Sequence, residues 1–214
     1  VAFQNRLNPS IQVLKKAIDN KRFGKIISSS VRLRWCRQQE YYDDNWHGRW
    51  SQDGGVLNQQ GIHHLDALNW LLGPVNSVFS FSTKRLNKLE AEDTIIAAIK
   101  LSDGSLSTFE ATTAARPRDL EASISITGEK GNVVIGGIAL NKIIEWNFNK
   151  KKSNDKYIKK KYSQIVPNGY GLSHIQLLKN IFFNIKSKKI NCLISGSDTL
   201  STTKLIHAIY ASCE

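Results

Sequence analysis

No methionine occurs among the 214 residues, not even at the first position, and no G-x-G-x-x-G turn occurs either. The missing fingerprint excludes a dinucleotide cradle of the Rossmann kind within the chain. Without a start methionine, and with the strand-like run Val1-Ala2-Phe3 in front, the chain is expected to be a cut fragment. Cysteine is scarce: Cys36, Cys192 and Cys213 are odd in number, scattered and without C-x-x-C spacing. That argues against a disulfide framework or a zinc site and suits a reducing, cytoplasmic setting. No apolar run approaches the roughly 18 to 20 residues of a membrane span, and no signal peptide opens the chain, so no membrane partner is expected. The H-x-x-x-H and H-E-x-x-H spacings are missing as well, and the adjacent His63 and His64 should point to different sides of a helix. No metal is expected.

What is present suits a globular protein. A hydrophobic content of 41% with five Trp argues against disorder, and 214 residues can bury a core as one domain, residues 1–214. The net charge is +12, concentrated in Lys150-Lys151-Lys152 and Lys159-Lys160-Lys161. These runs read as a solvated hairpin or loop, and with no zinc-finger, RRM or KH pattern nucleic acid is not an expected partner.

The richest stretch is 53–66, DGGVLNQQGIHHLD. Its glycine pair lets the backbone turn tightly or approach a ligand, and a helical pattern follows at once. Gln59, His63, Asp66 and Trp70 fall at i, i+4, i+7 and i+11 and should share one face, while Gly73-Pro74 stops the helix. His63, between an amide and a carboxylate, has two readings from these residues alone: an oriented proton acceptor, or a core histidine satisfied locally.

Before this helix, Asn8-Pro9-Ser10 starts another, striped by Ile11, Leu14, Ala17 and Ile18 and closed by Gly24. Residues 26–35 alternate as a strand. Residues 37–50, RQQEYYDDNWHGRW, have no period and form a loop rich in the aromatic and arginine side chains that sugar and nucleotide sites use. Residues 78–82, 94–101, 106–113, 122–127, 133–138 and 143–148 read as strands of an antiparallel meander, with Ser102-Asp103-Gly104 as a hairpin turn. Glu92-Asp93-Thr94 and Gly128-Glu129-Lys130-Gly131 read as strand-start and turn chemistry. Helices are expected at 171–185, with His174 near the start, and at 195–212, capped by Ser197-Asp198.

The helix phrase resembles the Gfo/Idh/MocA family of NAD(P)-dependent sugar oxidoreductases, whose second domain carries G-G-G-x-L-x-D-x-G-x-H-x-x-D. Gly54, Gly55, Leu57, Gly61, His63 and Asp66 fit; Asp53 replaces the first glycine, and Gln59 stands where many members have aspartate. The loop is similar to the R-x-x-x-Y-Y-x-x-x-W-R-G-x-W phrase of members acting on nucleotide sugars, with His47 where arginine is frequent. The resemblance implies an α+β domain, an open and mainly antiparallel sheet with helices on one face, like the C-terminal domain of glyceraldehyde-3-phosphate dehydrogenase. The Rossmann domain that precedes it in the family is absent from this chain.

By the same resemblance His63 and Gln59 would be catalytic and face the nicotinamide of NAD or NADP. Arg6, Arg37, Tyr41, Tyr42, Trp46, Arg49, Trp50, Asp66 and His174 would contact a sugar or nucleotide-sugar substrate. For His174 a solvent-facing or capping reading stands beside the functional one. Subunits would pair as a homo-oligomer through the open sheet face. A domain that binds sugar or pairs subunits without catalysis, and a member acting on an inositol or free aldose, are the alternatives.

Overall fold

The computed structural model describes residues 3–188 and 192–213. Val1 and Ala2 of the opening run lie outside these; Phe3 leads into a 3-10 turn, Gln4–Leu7. Helix α1 (Pro9–Asp19) and strand β1 (Ile26–Arg34) follow, and after a long loop a π-helical turn (Leu57–Gly61) runs directly into α2 (Ile62–Leu72). Strands β2 (Val75–Thr83), β3 (Thr94–Leu101), β4 (Leu106–Thr112), β5 (Glu121–Gly128), β6 (Gly131–Gly136) and β7 (Lys142–Phe148) come next. Helices α3 (Asp155–Tyr162), α4 (Ser173–Ser187) and α5 (Gly196–Ala211) complete the described elements.

Among the described residues seven strands form one open sheet in the order β2-β3-β4-β1-β5-β6-β7. It is mainly antiparallel, as expected, but not one meander: β1 lies between two of them and runs parallel to β4, with Val31 opposite Phe109 on one side and Ile124 on the other. A parallel pair needs a long crossover, and here α2 and the β2–β3 hairpin supply it.

The alternation legible in the sequence decides which face is buried. In β3, Ile95, Ala97, Ile99 and Leu101 point inward while Ile96, Ala98 and Lys100 point out. Ile11 and Leu14 of α1, Leu65 and Leu68 of α2, and Leu205 and Ile209 of α5 cover the inward face, against Val31, Leu33, Phe109 and Ile124. Each such side chain contributes roughly 1.5–3 kcal/mol on burial. The other face is uncovered: Phe81 lies opposite Ile96, Ile96 opposite Glu110, and Glu110 opposite Arg32.

Two local expectations are corrected. The second lysine run is helical, because α3 is pinned by buried Ile158 and by Asp155, which takes two hydrogen bonds from Arg22 at 2.7 and 2.8 Å. The cap of α5 is Ser195, whose hydroxyl accepts the Asp198 N–H while Asp198 accepts the Ser195 N–H, a reciprocal capping box. The stop of α2 is as read: Gly73 at φ +89° ends it before Pro74. No described helix is long and apolar enough to cross a membrane.

Candidate active site

The site begins where the Gly54-Gly55 turn enters the π turn ahead of α2. Glu92 holds that start: its carbonyl accepts the Val56 N–H at 3.0 Å, and its Oε1 accepts the Leu57 N–H at 3.0 Å and the Tyr210 hydroxyl at 2.9 Å. A carboxylate at a helix N-terminus complements the dipole, although burial pushes the Glu92 carboxyl above its ordinary value. Gly55 must be glycine, since a Cβ there would lie 1.9 Å from Glu92 Oε2. Of the Glu92-Asp93-Thr94 phrase, Asp93 fits the strand-start reading by accepting the Arg85, Leu86 and Asn87 N–H groups. Glu92 instead anchors the helix that carries the site.

The five-residue π turn changes the faces. Gln59 and His63 border a cavity of about 330 Å³, Gln60 and His64 border it too, and Asp66 does not. His63 packs edge-on to Phe3 and His64 edge-on to Trp35, each with ring centroids 5.8 Å apart. Gln4 and Asn5 of the first turn close one side, and Trp35, Arg37 and Tyr41 form the wall beyond β1. Asp119, Asn168, Gly169, Tyr170 and His174 complete the lining.

Burial dominates the electrostatics inside. Burial first, and then the charge of His174, bring the His63 imidazole down to about 4; burial and His63 bring His64 down to about 3. Both rings are therefore neutral at physiological pH. His63 Nδ1 is buried without a protein partner, and the buried His64 ring has only the Gln60 backbone beside it as a hydrogen-bonding group. Burial pushes the Tyr41 hydroxyl up to about 12, and that hydroxyl accepts from Gln60 Nε2 at 3.2 Å. The Arg37 guanidinium lies 5.1 Å from the Trp35 ring and 5.5 Å from the Tyr41 ring, and its Nη1 donates to the Cys36 carbonyl at 2.7 Å and to Asp119 at 3.4 Å.

Of the sequence candidates, Gln59, His63, Arg37, Tyr41 and His174 come together around this cavity. Arg6 and Asp66 do not border it. They bind each other through two hydrogen bonds of 2.6 and 2.7 Å, and Thr202 donates to Asp66 at 2.8 Å, so their polar atoms are spent on holding α2 to the first turn and to α5. Tyr42 does not border the cavity either, and its hydroxyl bonds Thr113 Oγ1 at 2.7 Å. Trp46, Arg49 and Trp50 lie exposed, outside the cavity. Trp46 stacks on His47 at 3.7 Å and His47 on Tyr41 at 3.9 Å, so Trp46 braces the wall from behind. Trp50 packs edge-on to Tyr210 at 5.3 Å.

Sequence reading missed Gln4, Asn5, Trp35, Gln60, His64, Asp119 and the 168–170 loop. Only the second histidine and second glutamine of 59–64 carried a local signal, and the π turn that aims them does not. Among the described residues no group of three His, Cys, Asp or Glu side chains could hold a metal. The neutral His63 and the Gln59 amide fit the nicotinamide end of a dinucleotide; no glycine-rich turn in the sequence would hold its pyrophosphate.

Residues 15–214 match the family model described as "Oxidoreductase family, C-terminal alpha/beta domain", of the Gfo/Idh/MocA oxidoreductases. The chain belongs to this family. It is similar to the WlbA dehydrogenase from Bordetella pertussis, solved in complex with NADH and UDP-GlcNAcA, at 37% identity and a TM-score of 0.90. The alignment covers 100% of this chain and 61% of that one. The WlbA dehydrogenase from Chromobacterium violaceum, in complex with the same two ligands, is 36% identical with a TM-score of 0.89, over 100% of this chain and 59% of that one. Levoglucosan dehydrogenase in complex with NADH, at 19% identity and a TM-score of 0.81 over 100% of this chain and 63% of that one, shares the fold. No curated protein matches the chain. The Gfo/Idh/MocA chain described here thus spans about three fifths of the length of its solved relatives. Those relatives are complexes of dehydrogenases with NADH, the cofactor type of the family.

Proposed function

We propose that this is the substrate domain of a longer NAD(P)-dependent dehydrogenase that removes hydride from a ring carbon of a nucleotide-linked sugar. The first candidate substrate is an acidic UDP-sugar of the UDP-GlcNAcA kind. The observation that carries the reading is His63: a neutral imidazole that lines, beside Gln59, a cavity walled by aromatic rings and a guanidinium. The likeness to two dehydrogenases solved with UDP-GlcNAcA supports the substrate class.

In this reading His63 takes the proton of the ring hydroxyl as its carbon is oxidised, so that no free alkoxide forms. Burial disfavours the imidazolium, and half-buried His174 at the same cavity offers the proton a way to solvent. Gln59 orients the ring through its amide. Arg37 in the wall and Arg49 on the outer loop are the cations for carboxylate and pyrophosphate. When bound, a nicotinamide supplies the hydride acceptor.

Calorimetry on the full-length protein with NAD and a panel of UDP-sugars tests the substrate class. Saturable heat with UDP-GlcNAcA is expected; heat only with inositols or free aldoses would move the reading to those substrates.

We also propose that the uncovered sheet face pairs subunits, with Phe79, Phe81, Ile96 and Leu106 exposed there. Phe79 and Phe81 touch edge to face and Phe81 lies opposite Ile96, and a contiguous exposed apolar patch of this kind marks a contact surface. Sedimentation of Phe81→Lys should show a smaller species than the parent protein, and an unchanged species would remove this face from the account.

A further inference from the structure

Helix α4 is packed on one side only. Its buried residues, Ser173, Leu177 and Asn184, fall within one narrow arc. Leu177 closes a small cluster with Phe3, Leu7 and Ile194, which rests on Ile62 of α2, and the Ser173 hydroxyl donates to Asn8 Oδ1 at 2.6 Å. Through these contacts α4 lies on the helix-covered side of the sheet, away from the uncovered face.

A second arc of the same helix is apolar and open. Ile175, Leu178, Phe182 and Ile185 recur at i, i+3, i+7 and i+10 with Ile181 beside them, and each is between 42% and 70% exposed. The stripe runs for about 15 Å along the helix, at 1.5 Å per residue. A helix that is apolar on most of its sides is a buried helix in the finished molecule, and a contiguous apolar stripe marks a surface where a partner docks.

Three features fix the occupant. The stripe begins at the cavity, which His174 in the first turn of α4 lines together with exposed Tyr170. The nicotinamide that the His63 reading requires finds no glycine-rich turn in this sequence for its pyrophosphate, so the segment that holds it must sit over the same cavity. The packed side of α4 lies on Phe3 and Leu7, so chain ahead of them in a longer protein enters next to this helix. A second copy of this chain brings no dinucleotide turn and has the uncovered sheet face to pair through.

We infer that the α4 stripe is the seat of the dinucleotide-holding domain of the longer protein. The helix then serves both halves of the site: its first turn lines the cavity, and its outer side fixes over that cavity the domain that brings the hydride acceptor. The inference rests on the longer-dehydrogenase reading above.

The test is thiol labelling of Phe182→Cys, and separately of Leu178→Cys, in the full-length protein with NAD, read by mass spectrometry at the substituted position. Labelling is expected to be at least about 10²-fold slower in the native protein than in urea, because the stripe opens only when the domains part. That protection should persist on dilution and in Phe81→Lys. Labelling within a few-fold of the urea rate at either position would overturn the docking, and so would protection that disappears on dilution and therefore belongs to a second copy; both leave the reading of the site intact. Leu178→Cys carries the test if Phe182→Cys does not fold. A full-length protein that binds no NAD in calorimetry would overturn the dehydrogenase reading and the docking with it.

Discussion

Substituting asparagine for His63 in the full-length protein is expected to lower turnover by about 10²-fold or more, the usual contribution of a positioned acid or base. The reason lies in the ring's surroundings. Burial keeps His63 neutral, with its imidazole brought down to about 4, so the ring at the cavity keeps a nitrogen able to accept a proton. Asparagine can hydrogen-bond a substrate hydroxyl but cannot take its proton. The loss should therefore fall on kcat, with KM changed little. The pH profile follows from the same burial. A base must be unprotonated, so the parent protein should hold its rate from neutrality to about pH 5 and lose it as the pH falls through about 4. Turnover equal to the parent's in His63→Asn would remove this residue from the chemistry.

Asp66→Asn is expected to be the most destabilising of the helix substitutions, at about 3–5 kcal/mol, because it strands a buried guanidinium. Arg6 is only 5% exposed and Asp66 fully buried, and the two share bonds of 2.6 and 2.7 Å. The pair joins three pieces of chain that meet at the cavity: the first turn with Gln4 and Asn5, α2 with His63, and α5 through Thr202. Replacing both partners, Arg6→Met with Asp66→Leu, should recover most of the loss, since two apolar groups leave no charge unpaired. Urea unfolding of the two single variants and the double reads this directly. A cost below about 1 kcal/mol for Asp66→Asn would mean that water reaches Arg6 after all.

These two residues also mark how far the sequence can be read. The strands were legible because one face of the sheet is buried, so β3 alternates residue by residue, and helix α2 was legible from its leucines and its Gly73-Pro74 stop. His63 stood out for the same reason, as a polar ring in an apolar helix. Asp66 looked like its companion at helical spacing, yet a partner sixty residues earlier claims it. That pairing is tertiary and leaves no local trace. The π turn is equally silent: nothing in LNQQG announces a five-residue turn, and that turn brings Gln60 and His64 to the cavity. Helix α3 was hidden for another reason, since the lysine runs 150–152 and 159–161 read as solvated chain while Ile158 and the Arg22–Asp155 pair hold it down. The cavity wall combines residues from 4–5, 35–41, 59–64, 119 and 168–174, an assembly that only the fold brings about.

The central claim is that the His63 cavity is where a nucleotide-linked sugar is oxidised. Nicotinamide reduction by the full-length protein, followed by absorbance with UDP-GlcNAcA as the sole reductant, tests it most directly. The account predicts reduced cofactor that grows with the sugar and nearly vanishes in His63→Asn. Cofactor that stays oxidised with UDP-GlcNAcA and with every other UDP-sugar would contradict it.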